Sequence, residues 1–371
     1  MILIFILLIL FTLSACIINN QNSDIKTIKI WVIAPISWPA ADYGIDWVNT
    51  YKYLVDKFNF ENKNIQIKLI IEDGKCNGKD STSAAQKLIN INNVQIIMWG
   101  SCSSETLAAG KLAQQHGIVL MDSVASAPAI SNIGDFVFKY INDNYAGKTL
   151  SKYASKILKS IVLVYDDTDY GVALANVIRK NYQWIIVSEI KVSIDEKDLS
   201  IVAKNIKKSN PDGIIVIDQD YTSAISKIKA FEKEWLLKTH ANKIISAYFY
   251  SSNTFLNAVG NLIQWAHQVD VPLVNNLWIK AEQFIQDFEK IYSVRLVASY
   301  IIFQWEAMNV IMDAILSWNY DSQSIKNYLR NINKSNPREW IFWNYYFEGS
   351  DVIWIPYVIQ EIKNNKPIII E

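Results

Sequence analysis

Two clusters of small polar residues lie in one stretch of the chain, Val94 to Pro128, and the chemistry they suit is capture of an anion. Ser101, Cys102, Ser103 and Ser104 follow a short apolar run, Val94 to Met98, and the turn residue Gly100. At a helix N-terminus those hydroxyls stand beside free amides and the positive end of the helix dipole, which favour a carboxylate. Ser123 to Pro128 form a second small-residue loop after a second apolar run, Ile118 to Asp122. If the two runs are neighbouring parallel strands, both loops leave the same sheet edge and cradle a small anion between them. The same spacing also describes an ordinary strand–helix–strand unit with serine caps.

Other chemistries find little support. Gly74-Lys-Cys-Asn-Gly78-Lys79-Asp80-Ser81 resembles a phosphate-binding loop, but it is one residue short. Asp80 also separates Lys79 from the hydroxyl that would meet Mg²⁺. No Gly-x-Ser-x-Gly elbow occurs. His116, His240 and His267 are scattered, with no His-Glu-x-x-His spacing. Cys76 and Cys102, lacking a nearby His pair, make a poor metal site. The reading is a binding protein with no catalytic residues, no metal and no cofactor.

The elements that must position these loops alternate. Strands are expected at Ile28 to Ile33, Ile65 to Ile71, Val94 to Met98 and Ile118 to Met121, separated by helices near Ile45 to Phe60, Ser81 to Ile91 and Glu105 to His116. After a segment at Phe136 to Tyr145 the pattern repeats. Strands at Ile161 to Tyr165, Ile185 to Val192, Gly213 to Asp218 and Ile244 to Phe249 alternate with helices near Val172 to Asn181, Lys197 to Lys208 and Thr222 to Leu237. This is the pattern of two α/β lobes, each a doubly wound parallel sheet. Beyond Val269, Ala281 to Tyr292, Ser299 to Trp318 and Ser322 to Ile332 read as helices. Trp340 to Phe347 and Val352 to Ile362 then read as strands paired in a hairpin.

Met1 to Leu13 is almost wholly apolar and is followed by Leu13-Ser14-Ala15-Cys16. This run is short for a membrane span. It has the pattern of a bacterial lipoprotein signal (residues 1–15), cleaved before a lipid-bearing Cys16, although it lacks a Lys or Arg near its start. An uncleaved anchor with an incidental Cys is the other reading. Residues 16–26, rich in Asn, suit a flexible tether. Lys plus Arg and Asp plus Glu each number 36 in 371 residues, so no basic field invites nucleic acid. The cluster Trp340-Ile341-Phe342-Trp343 reads as buried aromatics or as a partner-binding surface.

The segment Gly100, Cys102, Ser103, Ser104, then Gly117, Ile118, Leu120, Met121, then Val124, Ala125, Ser126 and Pro128 resembles the leucine/isoleucine/valine-binding proteins. These are the type I solute-binding receptors of ABC importers. Only Ser101 separates Gly100 from Cys102, one residue fewer than in the family pattern. The resemblance implies the type I periplasmic-binding-protein fold, two lobes joined by a three-segment hinge. The crossings map to about Asn142 to Ala146, Gln268 to Leu273 and Arg338 to Tyr346. The N-terminal lobe would be residues 27–142 plus 272–338, and the C-terminal lobe 143–271 plus 339–371. It also implies a disulfide between Cys76 and Cys102, which an exported setting permits.

By the same resemblance, the carboxylate of an amino acid ligand would sit on the amides and hydroxyls of Ser103, Val124 and Ser126. Tyr43 and Tyr170, the latter in an Asp-Asp-x-x-Tyr-Gly turn, would wall the ligand's apolar side chain. The acid that meets the ammonium is missing from its family position, where Tyr248 stands. Asp220, beside Gln219, is the nearest substitute. The implied function is an extracytoplasmic, lipid-anchored, monomeric receptor in the periplasm or on the outer face of the cytoplasmic membrane. It would capture a branched-chain or other apolar amino acid, or a related solute, by lobe closure and deliver it to an ABC permease. The alternative is a ligand-sensing or cell-wall-regulatory lipoprotein on the same fold.

Overall fold

In the computed structural model the described residues are 25–39, 41–92, 94–99, 102–272, 279–292, 300–340, 343–353 and 355–371. The expected signal segment, the expected lipidation site Cys16, and the turn residues Gly100 and Ser101 lie outside them. Lys26, expected to end the tether, opens the first strand.

The described chain forms two seven-stranded sheets. The first contains β1 (Lys26–Ala34), β2 (Ile65–Asp73), β3 (Ile96–Trp99), β4 (Val119–Asp122) and β5 (Val137–Lys139), alternating with helices α1 (Ala41–Glu61), α2 (Gly78–Asn92) and α3 (Ser103–Gln115). The second contains β6 (Ser160–Asp166), β7 (Ile185–Val192), β8 (Gly213–Ile217), β9 (Ile244–Ala247) and β10 (His267–Asp270). Its main helices are α4 (Asp143–Ile157), α5 (Asp169–Asn181), α6 (Ser200–Ser209) and α7 (Tyr221–Lys233). The chain then returns to the first lobe as α8 (Ile279–Tyr292), α9 (Ile301–Leu316) and α10 (Ser322–Asn331).

Burial on both faces explains the unbroken apolar strands. Along β1, Ile30 and Val32 face α1, whereas Trp31 and Ile33 face the layer of Ala85, Leu88 and Ala109 on the opposite side. Helix α1 buries Tyr43, Trp47, Tyr51, Leu54, Val55 and Phe58, a stripe at helical spacing.

Strand order reverses at one point in each sheet. The parallel core of the first runs β2-β1-β3-β4-β5 and that of the second β7-β6-β8-β9-β10. Loops leaving the two strands at such a switch point turn to opposite faces and open a crevice at the carboxyl edge. The crevices of β1/β3 and β6/β8 supply residues to one cavity, described below.

The last crossing differs from expectation. A hairpin of β11 (Tyr346–Glu348) and β12 (Asp351–Ile353) joins the first sheet, and only β13 (Val358–Lys363) and β14 (Lys366–Ile369) join the second. The crossing therefore falls between β12 and β13, not at Arg338 to Tyr346, and residues 346–353 leave the C-terminal lobe assigned to them. The reason is Lys139. Its side chain is fully buried, its amide donates to Ser350 O at 2.7 Å, and its ammonium lies 3.7 Å from Asp351. A buried ammonium needs that carboxylate, and Gly349 at φ +60° makes the tight turn that delivers it. The expected single strand Val352 to Ile362 is accordingly broken between two sheets. Among the described residues no helix is long and apolar enough to cross a membrane.

Candidate functional site

In each lobe the helix that follows the first strand opens with the same device. Asp42-Tyr43-Gly44 opens α1 and Asp169-Tyr170-Gly171 opens α5. A Cβ on Gly44 would lie 2.2 Å from Pro35 O, and one on Gly171 would lie 2.2 Å from Asp166 O. Only glycine lets the helix start press this closely on the preceding strand end. The result turns both tyrosine rings inward. Tyr43 and Tyr170 are buried and line the same cavity, of about 60 Å³.

The first lobe contributes Trp38, Tyr43, Trp47, Cys102, Ser103, Val124, Ala125 and Ser126 to this cavity. The second contributes Tyr170, Gln219, Tyr248 and Phe249, while Ile141 from the first crossing and Tyr300 complete it. Among the described residues no lining side chain is charged. The hydroxyls of Tyr170 and Tyr300 and the indole N–H of Trp38 are buried without a partner. Unpaired buried polar groups are costly, so they mark places a solute can satisfy.

The anion-cradle loops are held from behind. Cys102 caps α3, and the Cys76–Cys102 disulfide ties it to the loop after β2. Glu105 Oε1 accepts from the Cys76 amide at 2.8 Å and Oε2 from the Cys102 amide at 3.3 Å. Asp122 Oδ1 accepts from the amides of Val124 (3.0 Å) and Ala125 (2.8 Å). Burial pushes the Asp122 carboxyl up to about 6. The Val124 amide is thus committed within its own loop, and Val124 enters the cavity as a wall and not as the expected amide donor. Lys139 Nζ donates to the carbonyls of Ser126 (3.3 Å) and Ala127 (2.9 Å), fixing the loop from below.

The two serines differ in polarity. Ser103 Oγ accepts from the Ala127 amide at 3.2 Å and keeps its own proton to give. Ser126 Oγ faces Asp143 Oδ2 at 2.9 Å. Tyr248, at φ +69°, donates its hydroxyl to Asp143 Oδ1 at 3.1 Å. Burial raises the Asp143 carboxyl to about 6, opposed by the Ser126 hydrogen bond and the Lys139 charge.

Asp220 does not reach the cavity. Its Oδ1 accepts from the amides of Thr222 (2.7 Å) and Ser223 (2.9 Å), the N-cap bonds of α7. The expected ammonium partner is a helix cap because Thr222 and Ser223 present amides exactly where a capping carboxylate closes. Its neighbour Gln219 does line the cavity, with Nε2 3.7 Å from Cys76 Sγ across the cleft.

Sequence reading missed Trp38, Trp47, Ile141, Phe249 and Tyr300 as lining residues, and Asp143 behind them. Asp143 looks like any acid in the first turn of a helix; its position in the first crossing was its one distinguishing signal. Of the aromatic cluster, Trp340 and Trp343 are half-buried: Trp340 packs at 5.8 Å from Phe303 and 5.0 Å from Trp343, so these two rings pack inward. Ile341 and Phe342 lie outside the described residues.

Paired sheets whose carboxyl edges face one cavity define a class of two-lobed solute receptors, and comparison with known proteins agrees. The chain belongs to the periplasmic binding protein family, whose model matches residues 27–236. It is 26% identical over 196 residues to the Leu/Ile/Val-binding protein of Citrobacter freundii, a match covering 50% of this chain and 53% of that protein. The match thus spans about half the length of that relative. The structure of LivJ from Streptococcus pneumoniae, a branched-chain amino acid transporter substrate-binding protein in complex with isoleucine, superposes with a TM-score of 0.81 at 19% identity, covering 93% of this chain and 99% of that one. An ABC-transporter solute-binding protein of Rhodopseudomonas palustris in complex with 3,4-dihydroxybenzoic acid gives 0.81 at 17% identity, covering 93% and 96%. The fold is that of the type I periplasmic binding proteins, as the sequence resemblance implies.

Proposed function

We propose that the protein is the solute receptor of an ABC importer and captures an apolar amino acid between its lobes. The observation that carries this reading is the cavity itself, walled by aromatic rings from both lobes and supplied by Ser103 with a free hydroxyl proton at the start of α3. A ligand carboxylate there gains the Ser103 proton and the first-turn amides of α3. Tyr43 and Tyr170 flank the ligand's side chain from opposite lobes.

The cavity, of about 60 Å³, lies between the two lobes. A leucine-sized solute therefore enters only when the lobes part, and closure follows binding. Contacts that bridge the cleft, Tyr221 to Asp42 and Gln219 to Cys76, belong to the closed form. Capture by closure involves no covalent chemistry and needs neither cofactor nor metal.

In this reading the mature chain begins at a lipidated Cys16, stands as a monomer outside the cytoplasmic membrane and hands its solute to a permease. Membership of the periplasmic binding protein family supports the location outside the cytoplasmic membrane. The test is calorimetric titration of the full chain, unfolded and refolded to strip carried solute, with a panel of amino acids. Saturable binding of leucine-like or aromatic members is the expected result. A well-folded protein that binds none of them would remove the amino acid reading.

A further inference from the structure

An amino acid ligand brings an ammonium into a cavity with no charged lining side chain among the described residues. A buried ammonium without acceptors is costly. Asp220, the candidate in sequence, is spent on capping α7. Another carboxylate stands behind the wall. Asp143 is fully buried and touches two lining residues, Ser126 from the first lobe at 2.9 Å and Tyr248 from the second at 3.1 Å.

Building on the amino acid reading above, we propose that Asp143 is the counter-charge for the ligand ammonium, acting through the hydroxyls of Ser126 and Tyr248. A hydroxyl has one proton and two lone pairs. Toward an ionised carboxylate, both Ser126 and Tyr248 must donate that proton. Their oxygens then offer lone pairs to the cavity, polarised by the negative charge behind them. Ser103 has the opposite arrangement, since it accepts from Ala127 N and has its proton left to give. Ser126 precedes Ala127 in the chain, so donor and acceptor sites are neighbours on one wall. A donor beside two acceptors is the complement of a carboxylate beside an ammonium, the head group of an α-amino acid.

Asp143 is well placed to stay ionised when a cation arrives. It lies in the first turn of α4, where the helix dipole favours an anion. Lys139 lies near enough to lower its pKa but directs its ammonium to Ser126 O, Ala127 O and Asp351. Asp143 also sits in the first crossing between lobes, with its amide donating to Ser126 O at 2.9 Å. One ligand charge held through Ser126 and Tyr248 would therefore pull both lobes onto the crossing. Asp143 is on this account a positioning residue that sets specificity, and it does not touch the solute itself.

The test uses matched solutes with and without the amine: leucine against 4-methylpentanoate, and phenylalanine against 3-phenylpropanoate. Each is titrated calorimetrically into the refolded full chain and into Asp143→Asn. The wild-type protein is expected to prefer the amino acid of each pair. In Asp143→Asn the amino acid should lose at least about tenfold in affinity, as expected when a buried charge partner is removed. The deamino acid should change by no more than about threefold, so that the preference collapses. Equal losses for both members would give Asp143 a structural role only and overturn the proposal. A wild-type protein that favours the deamino acid, or has no preference, would overturn it too, while leaving the cavity as the solute site. Binding of neither series would reject the amino acid reading and the proposal together. Should Asp143→Asn fold poorly, Tyr248→Phe removes one relay hydroxyl and keeps the ring. It is expected to lower the amino acid preference in the same direction, and an unchanged preference there would equally overturn the proposal.

Discussion

Tyr221, the first residue of α7 in the second lobe, donates its hydroxyl to the Asp42 carboxylate at the start of α1 in the first. Its ring packs 5.2 Å from Tyr43, so one side chain closes the cleft by both a polar and an aromatic contact. Burial, and then the Asp42 charge, hold the Tyr221 phenol protonated throughout the ordinary pH range. The contact exists only when the lobes meet, and its loss should shift the population toward the open form. Tyr221→Phe keeps the ring and removes the hydrogen bond. Because Asp42 is exposed, the bond is worth about 1 kcal/mol, or roughly fivefold in solute affinity. Calorimetry should show that loss and small-angle scattering a more open unliganded protein. Unchanged affinity and shape would mean that the pair contributes nothing to closure.

The Cys76–Cys102 bridge joins the loop after β2 to the cap of α3 across 26 positions of sequence. Glu105 binds both cysteine amides, and Ser104 Oγ donates to Cys76 O at 3.2 Å. The bridge thus anchors the helix start that presents Ser103. Replacing both cysteines by serine should lower unfolding free energy by about 3.5 kcal/mol on the loop-closure estimate. The same variant should weaken carboxylate binding, because the first turn of α3 loses its tie. Chemical denaturation of oxidised and reduced protein measures the first effect. Coincident unfolding curves would show the bridge to be dispensable.

Much of this architecture was legible in the sequence, for a physical reason. Strands buried on both faces carry unbroken apolar runs, and Gly117 or the Asp-Tyr-Gly turns mark where helices stop and start. What could not be read depends on partners far away in the chain. Asp220 follows a strand as a site acid would, yet two local amides claim it. Asp143 is an unremarkable helix-start acid until the fold brings Ser126 and Tyr248 to it. The β11–β12 hairpin contains only three-residue strands, and its sheet is decided by the single pair Asp351–Lys139, which no local pattern announces.

Asp270 ends β10 at the second crossing and is fully buried. It accepts from Ser251 Oγ at 2.9 Å, Gln268 Nε2 at 3.3 Å and the Val271 amide at 2.7 Å, and no ion pair to it is formed among the described residues. Burial pushes its carboxyl up to about 8 from 3.8. The folded state then holds a proton that the unfolded state releases, so stability falls as pH rises through this window. The contribution is fully present below about pH 4 and is lost by the time pH passes about 8. Asp270→Asn removes the titration while keeping the shape. Denaturation across that pH range should show a shallower decline for the variant. Parallel profiles would place the Asp270 carboxyl at an ordinary value.

Beneath the second switch point, Lys227 Nζ lies 2.5 Å from Asp166 Oδ1, 2.8 Å from Asp218 Oδ1 and 2.6 Å from Ser223 Oγ. All three charged groups are fully buried. Asp166 Oδ2 in turn accepts the Gln219 amide at 2.7 Å, so the ion cluster fixes a residue that lines the cavity. Two carboxylates around one ammonium leave a net negative charge, and burial raises the Asp218 carboxyl. Lys227→Met would strand both acids without a counter-ion, which typically costs 3–5 kcal/mol. Removal of the cation raises the Asp218 carboxyl further. A raised carboxyl is stable at low pH and is penalised as pH rises, so the variant should recover part of its loss on acidification below about pH 6. Adding Asp218→Asn to Lys227→Met removes one stranded charge and should restore more stability at pH 7 than at pH 5. If the double variant is no more stable than the single one at either pH, the loss comes from packing of the lysine stem and not from unpaired charge. Solute affinity should follow stability only through Gln219, so a variant that folds but positions Gln219 loosely should bind more weakly at every pH.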